Sequence, residues 1–307
     1  MQTIQYQSFG QSDVLALAEV AQPQISNGNE VLIQVKAASV NPLDIKIRMG
    51  FMQKMRPVQL PYTPGLDAAG IVVAVGAAVS RFKVGDEVIA ATMMGAYAEY
   101  IVAKEEFVSL KPNNVSFAEA ASLVVNLGTA QSILFSEGKL ESGQKVLIQG
   151  AAGAVGATMV QLAKNNGIYV IATASGKGLE LVKELGADEI IDYKSQDLTT
   201  LVNNVDLVAD CAGGEAQSKL FEVVKSGGKL LSIAGIPSPE LAQKYSIEAR
   251  FVSSNLSAKS LENGLSLVLE GKIKPIIAKT FPLAEAAQAQ DFVSAGGMNG
   301  KVVLEVG

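Results

Sequence analysis

The sequence contains no histidine, and its 307 residues include a single cysteine, Cys211. Structural zinc sites need about four Cys or His ligands, and catalytic ones usually need three protein ligands that include these residue types. The chain therefore cannot build the usual zinc site. A Ser-His-Asp triad and a histidine proton relay are excluded by the same count. One cysteine also excludes an intrachain disulfide framework and suits a reducing compartment.

Long apolar runs and an excess of positive charge are missing too. One of the longest apolar stretches, residues 68–79, is interrupted by glycine and is shorter than the roughly 20 residues that span a bilayer. Residues 1–13 contain neither a basic leader nor an apolar signal core, so we expect a cytoplasmic protein with no membrane partner. The formal net charge of −5 argues against a nucleic-acid partner, because such proteins normally carry a basic face.

The composition is otherwise that of an ordinary globular protein, and the length favours two domains. Between residues 145 and about 255, short runs rich in Val and Ile alternate with helical stretches. Such runs are typical of parallel strands buried on both faces. The pattern predicts an α/β fold with a doubly wound, six-stranded parallel sheet of the Rossmann type. The predicted strands are KVLIQG, YVIATAS, EIIDY, VDLVADCAGG, GKLLSIAG and ARFVSSN.

The two ends of the chain show a different pattern. Residues 1–122 contain apolar runs separated by Pro, Gly and Asp turns, which predicts a β-rich, barrel-like unit. Residues 117–136 predict a helix that is interrupted at Gly128 and connects this unit to the sheet. The final strand, KVVLEV, has no partner in a complete six-stranded sheet and is expected to return to the β-rich unit. The expected divisions are thus 1–122, 123–258 and a return segment, 259–307.

The string GAAGAVG joins the first predicted strand to a helix that is expected to start near Gly153. Free backbone N–H groups at a helix start can bind a pyrophosphate. Gly153 lets the backbone approach the phosphates, and Gly156 lets the helix pack on the strand, while Ala151 replaces the first glycine of the GxGxxG fingerprint. A close-packed turn without a ligand is the alternative. The candidate cofactor-binding residues here are Gly150, Ala151, Ala152, Gly153, Ala154, Val155 and Gly156.

The end of the second predicted strand indicates which dinucleotide is bound. Enzymes that prefer NAD normally place Asp or Glu there to bind the ribose 2′-hydroxyl. This chain has Ser175 and Lys177 instead, and Tyr193 follows the third strand. A hydroxyl and an ammonium suit a 2′-phosphate, so we predict NADPH as the cofactor. The alternatives are a solvated lysine and a partly buried core tyrosine.

Seven strings occur in an order and spacing that together resemble one family. They are NPLD (41–44), PGLDAAGIVVAVG (64–76), VGDEV (84–88), GAYAEY (95–100), GAAGAVG (150–156), LVKELGAD (181–188) and GKVVLEV (300–306). Along essentially its whole length, the chain resembles the zinc-independent quinone oxidoreductases of the medium-chain dehydrogenase/reductase superfamily. The resemblance implies a GroES-like catalytic domain made from both chain ends, a nucleotide-binding domain between them, and homodimers joined along the nucleotide-domain sheet.

The resemblance also implies where the catalytic residues lie. In zinc-containing relatives a cysteine begins the segment that reads NPLD here, a His-Glu pair stands at Leu66 and Asp67, and a third cysteine falls near Val125. All of these positions lack the metal ligands. Asn41 takes the first position, and such an asparagine often lies near the nicotinamide and substrate. Alternatively, Asn41, Pro42 and Asp44 form only a capped turn.

Other candidates are less specific. Family members often carry a tyrosine after the NPLD segment, whereas this chain has IKIRMGF, so the proton donor is not identified. The catalytic candidates are Asn41, Asp44, Lys46 and Arg48. Further cofactor-binding candidates are Thr129, Ala234, Phe251, Val252, Ser253 and, by resemblance, Lys301, each with a core, capping or solvated role as the alternative. Cys211 is expected to be a small buried thiol.

The lack of zinc ligands and of histidine indicates which substrates the protein can reduce. Reducing a simple ketone leaves charge on one oxygen, which zinc or a strong acid usually stabilises. A quinone or conjugated enone spreads that charge, so modest hydrogen bonding suffices. We therefore expect NADPH-dependent reduction of small apolar quinones or α,β-unsaturated carbonyls, with no metal. A reductase of enoyl thioesters is an alternative, and so is a nucleotide-binding sensor or structural protein without significant turnover.

Overall fold

The computed structural model describes residues 1–92 and 94–307, which divide into two compact units. Unit 1 comprises Met1–Val125, Leu256–Leu261 and Pro275–Gly307, and unit 2 comprises Asn126–Asn255 and Glu262–Lys274. Compared with the expected divisions, residues 262–274 lie with the parallel sheet rather than with the return segment. Contacts within unit 2 explain this placement, because Gln161 Nε2 donates to the carbonyl of Lys274 at 3.0 Å.

Unit 1 is built on two β-sheets. One is a two-stranded antiparallel pair, β1 with β2, and the other has seven strands in the order β14-β15-β3-β4-β5-β7, with β6 also paired to β3. The strands of the unit are β1 (Gln2–Gln5), β2 (Ala16–Glu19), β3 (Glu30–Val40), β4 (Asp67–Val75), β5 (Glu87–Ala91), β6 (Tyr100–Lys104), β7 (Val108–Leu110), β14 (Ile277–Pro282) and β15 (Lys301–Glu305). Its helices are α1 (Pro42–Arg48) and α9 (Ala286–Ala295). The predicted β-rich unit is confirmed.

The final strand returns to unit 1, as its unpaired position in the sequence predicts. β15 pairs antiparallel with the long β3, with Val302 opposite Val40. Alternate side chains of β3, such as Val31, Ile33 and Val35, are fully buried in the core of this unit. Strand β14 was not predicted, because its IAKTFP segment is mostly half-buried or exposed and lacks a clear apolar alternation.

Unit 2 contains a six-stranded parallel sheet in the order β10-β9-β8-β11-β12-β13. Its strands are β8 (Lys145–Gln149), β9 (Tyr169–Ala174), β10 (Glu189–Asp192), β11 (Val205–Asp210), β12 (Val224–Ser232) and β13 (Glu248–Phe251). Numbered within the sheet this is 3-2-1-4-5-6, the order of dinucleotide-binding sheets, whose topological switch point lies between the first and fourth strands. Val146, Leu147 and Ile148 of β8 are fully buried, as the apolar runs indicate. The sheet prediction is therefore confirmed.

The helices between these strands vary in length. They are α3 (Ala154–Asn165), α4 (Lys177–Glu184), α5 (Leu198–Leu201), α6 (Gln217–Leu220) and α7 (Pro239–Tyr245), and α8 (Ala258–Leu269) follows the last strand. Short 3-10 turns occur at Ser12–Val14, Glu105–Phe107, Phe221–Val223 and Leu283–Glu285. Within the described part of the chain, every helix is too short or too polar to cross a membrane.

The interruption predicted at Gly128 is wrong. Helix α2 (Phe117–Gln131) runs through this glycine and continues into a π-helical turn, Ser132–Glu137. A helical glycine costs only about 1 kcal/mol, and the neighbouring Leu127 and Ala130 are fully buried. Burial of the helix therefore outweighs the low helix propensity of one residue. The division between the two units falls inside this helix, after Val125.

Candidate active site

The turn GAAGAVG lies at the switch point of the sheet, directly after β8. Gly150 adopts a left-handed conformation with φ +74°, which favours glycine, and the N–H of Ala151 donates to Thr173 O at 3.1 Å. Helix α3 begins at Ala154 with Gly153 as its N-cap, and this cap offers no side-chain acceptor. The first N–H groups of the helix consequently remain available to an anion.

Steric contacts explain why two positions of this turn are occupied by glycine. A Cβ on Gly156 would lie 2.3 Å from the carbonyl oxygen of Gly150, so the helix could not pack so closely on the turn. A Cβ on Gly153 would lie 3.3 Å from the same oxygen, a tight but less severe contact. Ala151 is fully buried and keeps the turn compact. The turn is therefore compact enough to bring its backbone N–H groups close to an anion such as a pyrophosphate. Ala152, Ala154 and Val155 complete the turn.

Ser175 and Tyr193 come together where β9 and β10 end. Ser175 Oγ donates to the hydroxyl of Tyr193 at 2.8 Å, and the tyrosine is exposed. Lys177 is exposed at the first position of α4. No carboxylate stands at the end of β9, whose last residue is Ala174. Two hydroxyls and an ammonium near this strand end fit a 2′-phosphate better than a ribose diol.

The remaining candidates of unit 2 lie at or after the ends of β12 and β13, or on α2. Thr129 is buried and its hydroxyl lies 2.6 Å from that of Ser254. The N–H of Ala234 donates to Ser232 Oγ at 3.2 Å, and the N–H of Val252 to Ser232 O at 2.8 Å. Phe251 and Ser253 are exposed beside the buried Val252. All of these residues follow or flank the carboxyl ends of the strands, where ligands bind in such sheets.

Sequence reasoning missed a buried carboxylate at the end of β11. Asp210 accepts hydrogen bonds from Gln217 Nε2 at 2.7 Å, from Ser232 Oγ at 2.8 Å and from the N–H of Gly213 at 2.7 Å. It fixes the loop that follows β11 and the end of β12. The only sequence signal was its position in VDLVADCAGG. The next residue, Cys211, is half-buried rather than fully buried as the sequence predicts, and desolvation raises the pKa of its thiol, which keeps it protonated.

Unit 1 holds a buried polar cluster centred on Asn41, the N-cap of α1. Its Nδ2 donates to Asp67 Oδ1 at 2.9 Å and to Ser39 O at 3.4 Å. Its Oδ1 accepts from Lys301 Nζ at 2.5 Å. Burial lowers the pKa of Lys301, while Asp67 and Asp44 act in the opposite direction. The chain ends thus bring Asn41 and Lys301, 260 positions apart, into direct contact.

Asp44 supports the same cluster from inside α1. Its carboxylate accepts from the backbone N–H of Asn41 at 2.9 Å and from the hydroxyl of Tyr97 at 3.1 Å. Burial raises the pKa of Asp44 to about 6, against the effect of these hydrogen bonds. The capped turn considered as an alternative is therefore present, and it coexists with the contacts of the Asn41 side chain.

Lys46 and Arg48 have different environments. Lys46 is exposed on α1. Arg48 is almost fully buried, and its Nε donates to Gln290 Oε1 at 2.7 Å while Nη1 donates to Gly10 O at 2.6 Å. These contacts tie α1 to α9 and to the amino-terminal segment, and they engage two of the five donors of the guanidinium within unit 1.

The positions that bear zinc ligands in zinc-containing relatives lie together but do not fit a zinc ion. Asp67 accepts from Ser39 Oγ at 2.7 Å, from Asn41 Nδ2 at 2.9 Å and from the N–H of Val125 at 3.3 Å. An amide, a hydrogen-bonded carboxylate and a lysine ammonium replace the thiolate and imidazole ligands that zinc prefers. Across residues 1–92 and 94–307, no three His, Cys, Asp or Glu side chains are grouped so as to hold a metal.

Two family models match parts of this chain. Residues 27–113 match the alcohol dehydrogenase GroES-like domain family. Residues 185–304 match the zinc-binding dehydrogenase family. The GroES-like assignment of unit 1 is thereby confirmed, together with the dehydrogenase character of the nucleotide-binding sheet.

Individual relatives cover the whole chain. A quinone-oxidoreductase homolog of Spinacia oleracea, described as chloroplastic, is 36% identical and matches 99% of this chain and 98% of its own length. An NADPH-dependent alkenal/one oxidoreductase of Arabidopsis thaliana is 36% identical over 97% of this chain and 78% of its own. The structure of Escherichia coli quinone oxidoreductase complexed with NADPH superposes with a TM-score of 0.90, at 26% identity, covering 99% and 100% of the two chains.

Proposed function

Because this chain belongs to the quinone oxidoreductase family of the medium-chain dehydrogenase/reductase superfamily, we propose that it reduces quinones and α,β-unsaturated carbonyls with NADPH and without zinc. The observation that carries the proposal is the donor set of unit 1. Asn41 bonds both to Asp67 and to Lys301 where a metal would otherwise be bound. Without a Lewis acid, substrates whose product anion is delocalised are favoured.

The reaction has to proceed without a Lewis acid. When bound, NADPH would supply a hydride to the far end of the conjugated system, and the electron pair of the C=C bond would move to the carbonyl oxygen. The protein has to orient the carbonyl and stabilise the resulting enolate or hydroquinone anion. Asn41, Lys46 and Arg48 are the candidates from the sequence, of which Arg48 is engaged with Gln290 and Gly10 and Lys46 is exposed. Solvent then supplies the proton, since the tyrosine common in the family is replaced by the IKIRMGF segment.

The test is an NADPH oxidation assay against a matched set of acceptors: a quinone, an enone, an enoyl thioester and a simple ketone. We expect turnover of the quinone and enone and little of the simple ketone. Preference for the thioester would favour the enoyl-thioester alternative. NADPH binding in a titration without turnover of any acceptor would favour a sensor or structural protein and contradict the proposal.

Preference for NADPH over NADH is supported by Ser175, Tyr193 and Lys177. A 2′-phosphate would gain a charge-assisted hydrogen bond from the lysine, worth about 1.5–3 kcal/mol at most and less at this exposed position. We predict that Lys177→Ala weakens NADPH binding several-fold and leaves NADH binding unchanged. The check is the ratio of the two dissociation constants. A ratio equal to that of wild type would remove Lys177 from the 2′-phosphate site.

Assembly and location are also part of the proposal. A homodimer joined through the nucleotide-domain sheet is supported by β13, which pairs only with β12 in the described chain and leaves its other edge open. The expected cytoplasmic location stays a prediction, since relatives such as the spinach protein are described as chloroplastic.

A further inference from the structure

Lys301 places an ammonium group in the interior of unit 1. The residue is 3% exposed and begins β15, directly after Gly300. Burying a charged amine is costly unless its charge and its hydrogen-bond donors are compensated. Asp67 and Asp44 supply negative charge nearby. The charge is thus balanced within the unit, whereas the hydrogen bonds are not.

A lysine ammonium has three donors. Lys301 Nζ makes one hydrogen bond, to Asn41 Oδ1 at 2.5 Å, among residues 1–92 and 94–307. Two donors of a buried cation are therefore without a protein acceptor. A bound oxygen that carries partial or full negative charge would satisfy them.

Asn41 has no comparable capacity. Both donors of its amide are used, one toward Asp67 Oδ1 and the other toward Ser39 O. Its oxygen is engaged with Lys301. Asn41 can therefore hold the lysine in place but has no N–H left to offer to a substrate carbonyl.

Asp67 anchors the other end of this chain of contacts. Its three hydrogen bonds, from Ser39, Asn41 and Val125, come from β3, from the turn before α1 and from α2. A carboxylate fixed by three donors orients the Asn41 amide, and the amide in turn orients the ammonium. Such a series produces a preorganised donor, the arrangement that stabilises a developing anion most effectively.

We propose that Lys301 is the oxyanion-stabilising group of this enzyme, and that Asn41 and Asp67 are positioning residues that act through it. The inference rests on the proposed function. Hydride adds to the β carbon of an enone, the C=C electron pair forms the enolate, and two N–H groups of Lys301 bind its oxygen. Solvent then protonates the α carbon, which completes addition of one hydride and one proton. A quinone likewise takes up one hydride and one proton, and both added hydrogens end on its oxygens in the hydroquinone.

The test compares Lys301→Met, which keeps the length but removes the charge and donors, with wild type and Lys301→Arg. Loss of an oxyanion donor typically lowers kcat by about 10²–10³-fold. We expect a loss of this order for an enone, whose enolate spreads its charge less widely than a hydroquinone anion does, and a smaller loss for a high-potential quinone. KM and the NADPH dissociation constant should stay within about twofold, and Lys301→Arg should recover part of the enone activity.

Several results would overturn the inference. An unchanged kcat would do so, and so would equal losses for both acceptors or a rise in the NADPH dissociation constant that accounts for the loss. The last outcome would make Lys301 a cofactor ligand. Wild-type protein inactive toward both acceptors would overturn the proposed function, and the inference with it.

A second measurement uses only wild-type protein, so it does not depend on whether a variant folds. Wild-type protein saturated with NADP⁺ is titrated with 4-nitrophenolate and with 4-nitroanisole, its neutral methyl ether of similar shape. A preorganised ammonium predicts at least tenfold tighter binding of the phenolate, with a shift of its absorbance maximum. Equal affinity for the two compounds would contradict an oxyanion site at Lys301.

Discussion

At the scale of single residues, Asp44 combines a useful position with a cost in stability. Its carboxylate caps α1 and supports Asn41, yet it is only 2% exposed. Desolvation raises its pKa to about 6, above the value of about 3.9 expected in an unfolded chain. The folded protein therefore binds this proton more tightly than the unfolded chain does. Stability from this group is greatest at low pH and is lost as pH rises through the folded pKa.

We predict that Asp44→Asn changes how stability depends on pH. In wild type, this one carboxyl should cost about 2 kcal/mol of unfolding free energy between pH 4 and pH 7. The variant has no such titration, so the wild-type value minus the variant value should fall across that range. Urea unfolding at pH 4, 5, 6 and 7 measures the difference. Parallel pH profiles would show that Asp44 does not carry this shifted pKa.

The sequence identified some residues of the unit 1 cluster but not their contacts. Asn41 and Lys301 were found through motifs, with Asn41 assigned to the substrate and Lys301 to the cofactor. Ser39 escaped notice because a serine inside an apolar strand has no periodic signal. The hydrogen bonds that join these residues to Asp67 depend on the pairing of β3 with β4 and β15, which is a tertiary property. The local sequence pattern therefore does not predict these hydrogen bonds.

At the scale of elements, the β8-turn-α3 unit depends on two glycines in different ways. Gly156 is needed for packing, because its Cβ would meet the Gly150 carbonyl at 2.3 Å. Gly153 has more space, and a Cβ there would lie at 3.3 Å from the same atom. The proposed phosphate lies over Gly153, so this position is expected to matter for binding rather than for folding.

We therefore predict that one of two matched alanine substitutions mainly lowers stability and that the other mainly weakens cofactor binding. Gly156→Ala should lower the unfolding free energy by about 2 kcal/mol, since a backbone must shift to relieve the overlap. Gly153→Ala should change it by less than about 1 kcal/mol but weaken NADPH binding at least tenfold. Thermal unfolding and a fluorescence titration separate the two effects. If Gly153→Ala bound NADPH like wild type, the phosphate could not lie against this residue.

Prediction of the elements from sequence succeeded where the signal was local. Strands such as β8, with three consecutive buried residues, stand out as apolar runs between helical stretches. The interruption at Gly128 was wrong because burial of α2 decides its continuity. The sequence does not predict strand β14, because its apolar and polar residues do not alternate clearly. The segment becomes a strand by pairing with β15.

At the scale of the whole molecule, the open edge of β13 is the feature that a dimer would use. Adding a second copy of β13 would satisfy the unpaired backbone groups of this strand. We predict a particle of twice the 32.0 kDa chain mass by light scattering. Hydrogen exchange of the β13 amides should accelerate on dilution to monomer. A monomeric mass with concentration-independent exchange would rule out this interface.

The division into two units was only partly accessible to sequence reasoning. The parallel sheet and the return of the final strand follow from counting strands that need partners. The place where one unit ends does not, because it falls within the continuous helix α2 and because residues 262–274 join unit 2 through contacts such as Gln161 with Lys274. Boundaries inside regular elements leave no turn or linker signal.

The central claim is that hydride passes from NADPH to conjugated acceptors without a metal. Its most direct test is the steady-state rate of NADPH oxidation by protein that has been treated with a chelator and shown by elemental analysis to contain no zinc. The account predicts that the rates with an enone and a quinone equal those of untreated protein, with a simple ketone reduced far more slowly. Loss of enone and quinone reduction on chelation, restored by added zinc, would contradict it.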